Sequence, residues 1–183
     1  TAPAFGLQPF EFVGNAGDCG VGYPAGTDTV TASWDSATGN PPPSIFLQKT
    51  GDIANCASAG VDIIDPSVEN HPASGIHELN FDVKGYCTNG APRFNIQSGD
   101  RTAFLGCNYN STQTTLPDGW THVEFTQPQI DAALLTAGIS PAANVDDLYI
   151  IFDYYVTTTL HFFIPCFAIF FGIVIKCIAP NYR

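Results

Sequence analysis

Glu78 and Glu124 fall on segments that read as strands, and two carboxylates flanking a bond are what hydrolysis of a glycoside requires. Each also occupies the polar position of an alternating segment, where a strand carries solvent-facing carboxylates. No cleft is implied between them, so the plain reading prevails. His71, His77, His122 and His161 show no HExxH or other metal-ligand spacing, and His77 reads as core-facing. Serines and histidines are present without a GxSxG elbow. Asp146, Asp147 and Asp153 bracket one strand near loop ends and could hold a structural calcium. The ligand set is incomplete, and charges that keep an edge soluble account for them equally. Trp120, Tyr109 and Tyr86 could stack on a sugar ring, whose C–H faces are apolar. Trp120 opens a strand and suits a core as well. No catalytic residue and no cofactor is expected.

The whole chain narrows the classes further. It has 183 residues, enough for one domain with extensions and a core of its own. A net charge of −11 with six Lys and Arg opposes binding to nucleic acid or to anionic membranes. Seventeen Gly, 14 Pro and 13% charged residues suit a turn-rich all-β protein. There is no Met, and the chain begins TAPAFG, which is expected of a processed, secreted product or of a cut boundary. Six Cys without a CxxC pair suggest disulfides rather than metal. Asn110-Ser111-Thr112 is an N-glycosylation sequon in a polar loop.

Residues 1–43 read as an extension with the first strands. This part is strand-poor, with one short strand at Phe10, Phe12 and Val13 and a Gly-rich turn from Gly14 to Gly26. Thr27 to Trp34 alternates, placing Val30, Ala32 and Trp34 on one face. Pro41 to Pro43 stops it. Residues 44–153 read as the sandwich core. Strands are expected at Ser44–Lys49, Val61–Ile64, Ile76–Lys84, Arg93–Gln97, Thr102–Gly106 and Trp120–Phe125, with Ile53–Gly60 as a loop of small residues. Ser98-Gly99-Asp100 is a hairpin signal. Thr126 followed by Gln129 forms a capping box, with Pro128 in the first turn. Ile130, Ala133, Leu134 and Ala137 make an apolar stripe that Gly138 ends. Asp146–Asp153 reads as a buried strand. The predicted fold is an all-β, jelly-roll type β-sandwich with one short α-helix and an extended apolar C-terminal strand segment.

That segment, within residues 154–183, is LHFFIPCFAIFFGIVIKCI from Leu160 to Ile178, with Lys176 its one charge. Phe162, Phe163, Ile164, Phe167, Ile169, Phe170, Phe171, Ile173, Val174 and Ile175 form its apolar body. Pro165 and Gly172 interrupt it, and the run is short for a membrane helix. Aromatic and β-branched residues favour strand. Such an edge must be covered, either within its own sheet or by a neighbouring subunit.

GNPPPSIFLQKTG (39–51), ELNFDVKGYCTNGAPRFNI (78–96), FLGC (104–107), DGWTHVEFT (118–126) and VDDLYIIFD (145–153) together resemble uncharacterised secreted bacterial domains of the galactose-binding-like, jelly-roll type. The likeness covers residues 30–153 and is lost after Asp153, where those domains continue with a polar turn and an amphipathic strand. It implies a bridge between Cys87 and Cys107, beside which Tyr86 and Tyr109 would pack. Cys19 with Cys56 and Cys166 with Cys177 are the pairs that then remain. A straight strand would hold the last two too far apart.

The expectation is a non-catalytic, extracellular structural glycoprotein that self-assembles into a filament or similar polymer through its apolar terminal segment. It would partner itself, with glycans attached or bound. The alternatives are a carbohydrate-binding module-like domain and a surface domain with a C-terminal membrane anchor.

Overall fold

The computed structural model describes residues 6–39, 41–50, 55–88, 90–153, 160–163, 169–170 and 173–174, the last three stretches as strand backbone alone. Two antiparallel sheets face each other, and the fold is an all-β sandwich of jelly-roll type with one short α-helix.

The first sheet has five strands: β1 (Gly6–Val13), β4 (Ala57–Ile64), β10 (Asp147–Phe152), β6 (Arg93–Ser98) and β7 (Arg101–Gly106), in the order β1-β4-β10-β6-β7. The second runs β2 (Thr29–Asp35), β3 (Ser44–Thr50), β11 (Leu160–Phe163), β5 (Glu78–Lys84), β9 (Thr121–Thr126) and β8 (Thr112–Thr115). Alternation along the strands decides the layers. Ala59, Val61 and Ile63, Phe94 and Ile96, and Leu148, Ile150 and Phe152 turn inward from the first sheet. Ile45, Leu47, Leu79, Phe81, Val83, Val123 and Phe125 meet them from the second. The rings of Phe81, Phe94 and Phe125 lie 5.4–6.3 Å apart and tie the two sheets together. Rings at such distances add about 0.5–1.5 kcal/mol per pair beyond the area they bury.

The helix α1 (Gln127–Ala137) carries the expected capping box at Thr126 and Gln129. Its buried side is Ile130, Ala133 and Leu134, packed against β7 and β9. Gly138 ends it at φ 69°, a left-handed position that glycine adopts without strain.

Three sequence expectations change here. In residues 1–43 the strand expected as short runs the full length Gly6–Val13, with Leu7 packed against the core, while β2 forms where Thr27–Trp34 was read as strand. Ala57–Gly60 is strand and not loop. Its small residues lie in the sheet between β1 and β10, where Phe10 occupies the space that a side chain at residue 60 would need. Thr112–Thr115, to which no strand was assigned, pairs along β9, so the sequon expected in a polar loop runs into an edge strand at Thr112.

The bridges Cys19–Cys56 and Cys87–Cys107 form as expected, spanning 37 and 20 residues. Loops of that size give about 3–4 kcal/mol each in the chain-entropy account, the longer one the more. Cys166, Cys177, Ile164, Phe167, Phe171 and Ile175 lie outside the described residues. Phe162 and Phe163 belong to β11, which pairs with β3 on one side and β5 on the other, within the chain's own sheet. Ile169 and Phe170 form β12 and pair with Ile173 and Val174 of β13.

Candidate functional site

The outer face of the five-stranded sheet sets ring side chains beside polar ones. Registers fix its geometry. Gln8 pairs with Asp62, Asp62 with Tyr149, Tyr149 with Asn95, and Asn95 with Phe104. These five residues therefore stand in one row across all five strands, on the side opposite the core. With neighbouring strands about 4.8 Å apart, the row spans roughly 19 Å.

An adjoining row holds Phe10, Gly60, Ile151 and Arg93. Phe10 leans edge-on to Tyr149, with ring centroids 6.3 Å apart. It does so across Gly60, where a Cβ would stand 2.3 Å from the Phe10 ring. The absence of a side chain at residue 60 is what lets the two rings meet.

The other end is built around Arg93. Its Nη1 and Nη2 donate to Asp153 Oδ1 and Oδ2, both at 2.7 Å. Nη1 also donates to the Gly90 carbonyl at 2.8 Å, and Nε to Asn95 Oδ1 at 3.1 Å. The guanidinium carbon lies 5.2 Å from the centroid of Phe104, which is 54% exposed. A planar fork held on four acceptors fixes the ring above it.

Asp153 is anchored from the inside as well. Lys49, fully buried on the inner side of β3, donates from Nζ to the Asp153 carbonyl at 3.1 Å and lies 3.5 Å from Asp28 Oδ2.

Two carboxylates occupy the middle of the face. Burial raises the pKa of Asp62, and the charge of Asp147 raises it further. Burial likewise raises that of Asp147, against a lowering bond from the Leu148 backbone and with a further rise from Asp146. Gln8, Asp62, Tyr149 and Gln97 make no side-chain hydrogen bond among the described residues. Exposed rings beside unoccupied donors and acceptors can stack on an apolar ring face and bond its hydroxyls.

The residues singled out from sequence fall elsewhere. Glu78 and Glu124 stand on the outer face of the six-stranded sheet. There Glu78 accepts from Asn80 at 2.8 Å, and Glu124 lies 4.0 Å from His122 Nε2. His77, expected to face the core, is exposed and bonded to Gln127, because the alternation that buries Leu79, Phe81 and Val83 starts at β5 itself. His71 bonds to the Glu69 carbonyl. His161 lies in β11. Trp120 is buried, in line with the core reading. Tyr86 is half-buried and meets Phe152 edge-on at 6.2 Å. Tyr109 is exposed and so remains available. Asn110 is exposed in a turn at φ 56°.

The three aspartates weighed for calcium do not converge. Asp146 accepts from the Gly99 N–H at 2.5 Å, and Asp153 is taken up by Arg93. No group of three or more His, Cys, Asp or Glu suited to a metal occurs among the described residues. No helix among them is long and apolar enough to cross a membrane.

The sequence reading of Asp146–Asp153 as a buried strand passes over Tyr149. The strand in fact alternates, with Leu148, Ile150 and Phe152 buried and Asp147, Tyr149 and Ile151 only partly so. The signal available was an aromatic out of phase with the buried set.

No protein-family model matches this chain, and no curated protein matches it. Among solved structures, one similar chain is the family 30 carbohydrate-binding module of a cellulosomal cellulase of Clostridium thermocellum. It has 16% identity and a TM-score of 0.49 over 86% of this chain and 90% of that one. Another is the family 11 carbohydrate-binding module of a second cellulosomal cellulase of Clostridium thermocellum. It has 13% identity and a TM-score of 0.46 over 89% of this chain and 86% of that one. The fold described above stands on this chain's own two sheets and not on these likenesses.

Proposed function

We propose that this chain is a secreted, non-catalytic glycan-binding module that lays a saccharide chain across the outer face of its five-stranded sheet. The observation that carries this reading is the transverse row Gln8–Asp62–Tyr149–Asn95–Phe104, with rings and hydrogen-bonding groups side by side. Tyr149 and Phe10 supply one stacking position and Phe104 another, two strands away. Gln8, Asp62 and Gln97 offer donors and acceptors to sugar hydroxyls. Two disulfides support an oxidising compartment. Calorimetric titration against a panel of soluble, uncharged polysaccharides tests the proposal. Binding by the parent chain that is lost in Tyr149→Ala supports it, and no binding to any member overturns it.

A self-assembling structural subunit is the second reading. In its favour, β12 and β13 pair with each other and with neither large sheet among the described residues, and their sequence is apolar. Sedimentation with electron microscopy of the full chain tests it: ordered polymers support it, and a monomer at all concentrations removes it.

A further inference from the structure

The glycan face has no obvious use for the cation beneath it. Lys49 is fully buried on the inner side of β3, in line with Ile45 and Leu47, at a position where an apolar residue would pack without desolvating a charge. Among the described residues its ammonium meets the Asp28 carboxylate at 3.5 Å and the main-chain carbonyl of Asp153 at 3.1 Å. Asp28 Oδ2 has no hydrogen-bond partner among the described residues, so this ion pair is its compensation there.

Asp153 is the residue through which inside and outside meet. Its carbonyl is held from within by Lys49, while its carboxylate holds both Nη atoms of Arg93 on the outer face. Arg93 in turn lies under Phe104 and bonds Asn95, two members of the transverse row. Asp153 lies one residue past the last residue of β10, Phe152, so the ladder that fixes the rest of that strand no longer holds it. A strand end is where side chains lose their register first, and a bidentate pair needs both carboxylate oxygens in the guanidinium plane.

We propose that Lys49 is a positioning residue for the glycan face: by pinning the Asp153 carbonyl from the core side, it sets the Asp153 carboxylate, and through it the Arg93–Phe104 end of the row. The inference rests on the glycan-binding reading for its functional consequence, but its structural part can be read without ligand.

The test uses the full chain. Lys49→Met alone would strand the Asp28 carboxylate in the core, so the main variant is the double change Lys49→Met with Asp28→Leu, which removes the tether and leaves no orphan charge. Asp28→Asn is the second variant, loosening the ammonium without removing it. The Arg93 Nε–H resonance and its exchange with solvent are followed by NMR. In the parent it should be a single protected signal. In the double variant it should shift and exchange at least about tenfold faster, and in Asp28→Asn less so.

An unchanged Arg93 signal in a folded variant overturns the inference, whatever the glycan result. Where the parent binds a glycan, the double variant should bind about tenfold more weakly, and this loss should vanish when Arg93→Ala is already present. An additive loss in that background overturns the claim that Lys49 acts through Arg93. A moved Arg93 signal in a protein that binds no glycan keeps the positioning role and removes the glycan reading instead.

Discussion

The two outer faces of the sandwich are made by the same alternation and have opposite characters. On the six-stranded sheet, polar side chains satisfy one another. His122 Nδ1 lies 2.7 Å from Asp82 Oδ1, Glu78 accepts from Asn80, and Thr112 and Thr114 line the edge strand. On the five-stranded sheet, Phe104 is exposed, Phe10 and Tyr149 are half-buried, and several polar groups make no side-chain bond among the described residues. A face that has spent its hydrogen bonds internally has little to offer a ligand. One that holds two half-buried aspartates, Asp62 raised by burial and by the charge of Asp147, and Asp147 raised by burial and by Asp146, retains interactions that a ligand could complete. The contrast is what favours the five-stranded sheet as the proposed site.

The most severe way to break the comparison is to end the chain after Asp153. That removes β11 and leaves β3 and β5 with unpaired backbone in the middle of the six-stranded sheet, while all strands of the other sheet remain. The expected outcome is loss of the cooperative unfolding transition in circular dichroism, with aggregation. A soluble truncated monomer with a native transition would show that β11 is dispensable. Next in size is Tyr149→Ala. Removing a central ring of a binding face costs about 2 kcal/mol of binding, roughly 30-fold in affinity, with the melting temperature little changed. Titration calorimetry reads the first effect and scanning calorimetry the second.

A smaller effect separates the faces by pH. Burial, and then the charge of Asp147, raise the carboxyl pKa of Asp62 in the folded chain. Such a group favours folding when protonated. Its contribution is complete below the ordinary carboxyl value of about 3.9 and is lost as pH rises through the elevated folded-state value. Asp62→Asn should therefore melt higher than the parent at neutral pH and lose that advantage in acid. Melting curves across that range check the sign, and an advantage that grows in acid would contradict it. The smallest expected change is His122→Ala on the opposite face. A partly exposed pair of this kind contributes about 0–1 kcal/mol to stability, and glycan affinity should not move. A tenfold loss of affinity there would shift the site to the six-stranded sheet.

Much of the scaffold could be read from the chain. Leu79, Phe81 and Val83 announce the core-facing side of β5, although Asn80 and Asp82 on the side expected to be wet are buried too, and Thr126 with Gln129 and Gly138 mark both ends of α1. Cys87 and Cys107 pair as the family resemblance implied. The site was largely hidden, because a transverse row is invisible in a linear sequence. Gln8, Asp62, Tyr149, Asn95 and Phe104 come from five strands, and only the register brings them together. Local pattern also misled at Ala57–Gly60, where small residues suggest a loop. There they fill a crowded part of the sheet under Phe10. The stacking residues picked by type alone, Trp120 and Tyr86, are drawn into or against the core, since a large ring at a strand start is as useful to packing as to binding.

The Cys19–Cys56 bridge also decides how the molecule would bear load. A pull on the N-terminus first opens the pairing of Gly6 with Ile64 and then peels β1 residue by residue to Val13, which pairs with Ala57. Once the slack up to Cys19 is taken up, tension crosses the sulfurs directly to Cys56, next to the first residue of β4. The segment between the two cysteines, whose sequence separation is 37 and which holds β2, β3 and all of their pairing, drops out of the force path. A single-molecule trace of the oxidised chain should thus show an early short step as β1 unzips, and the contour released by that span should appear only after reduction.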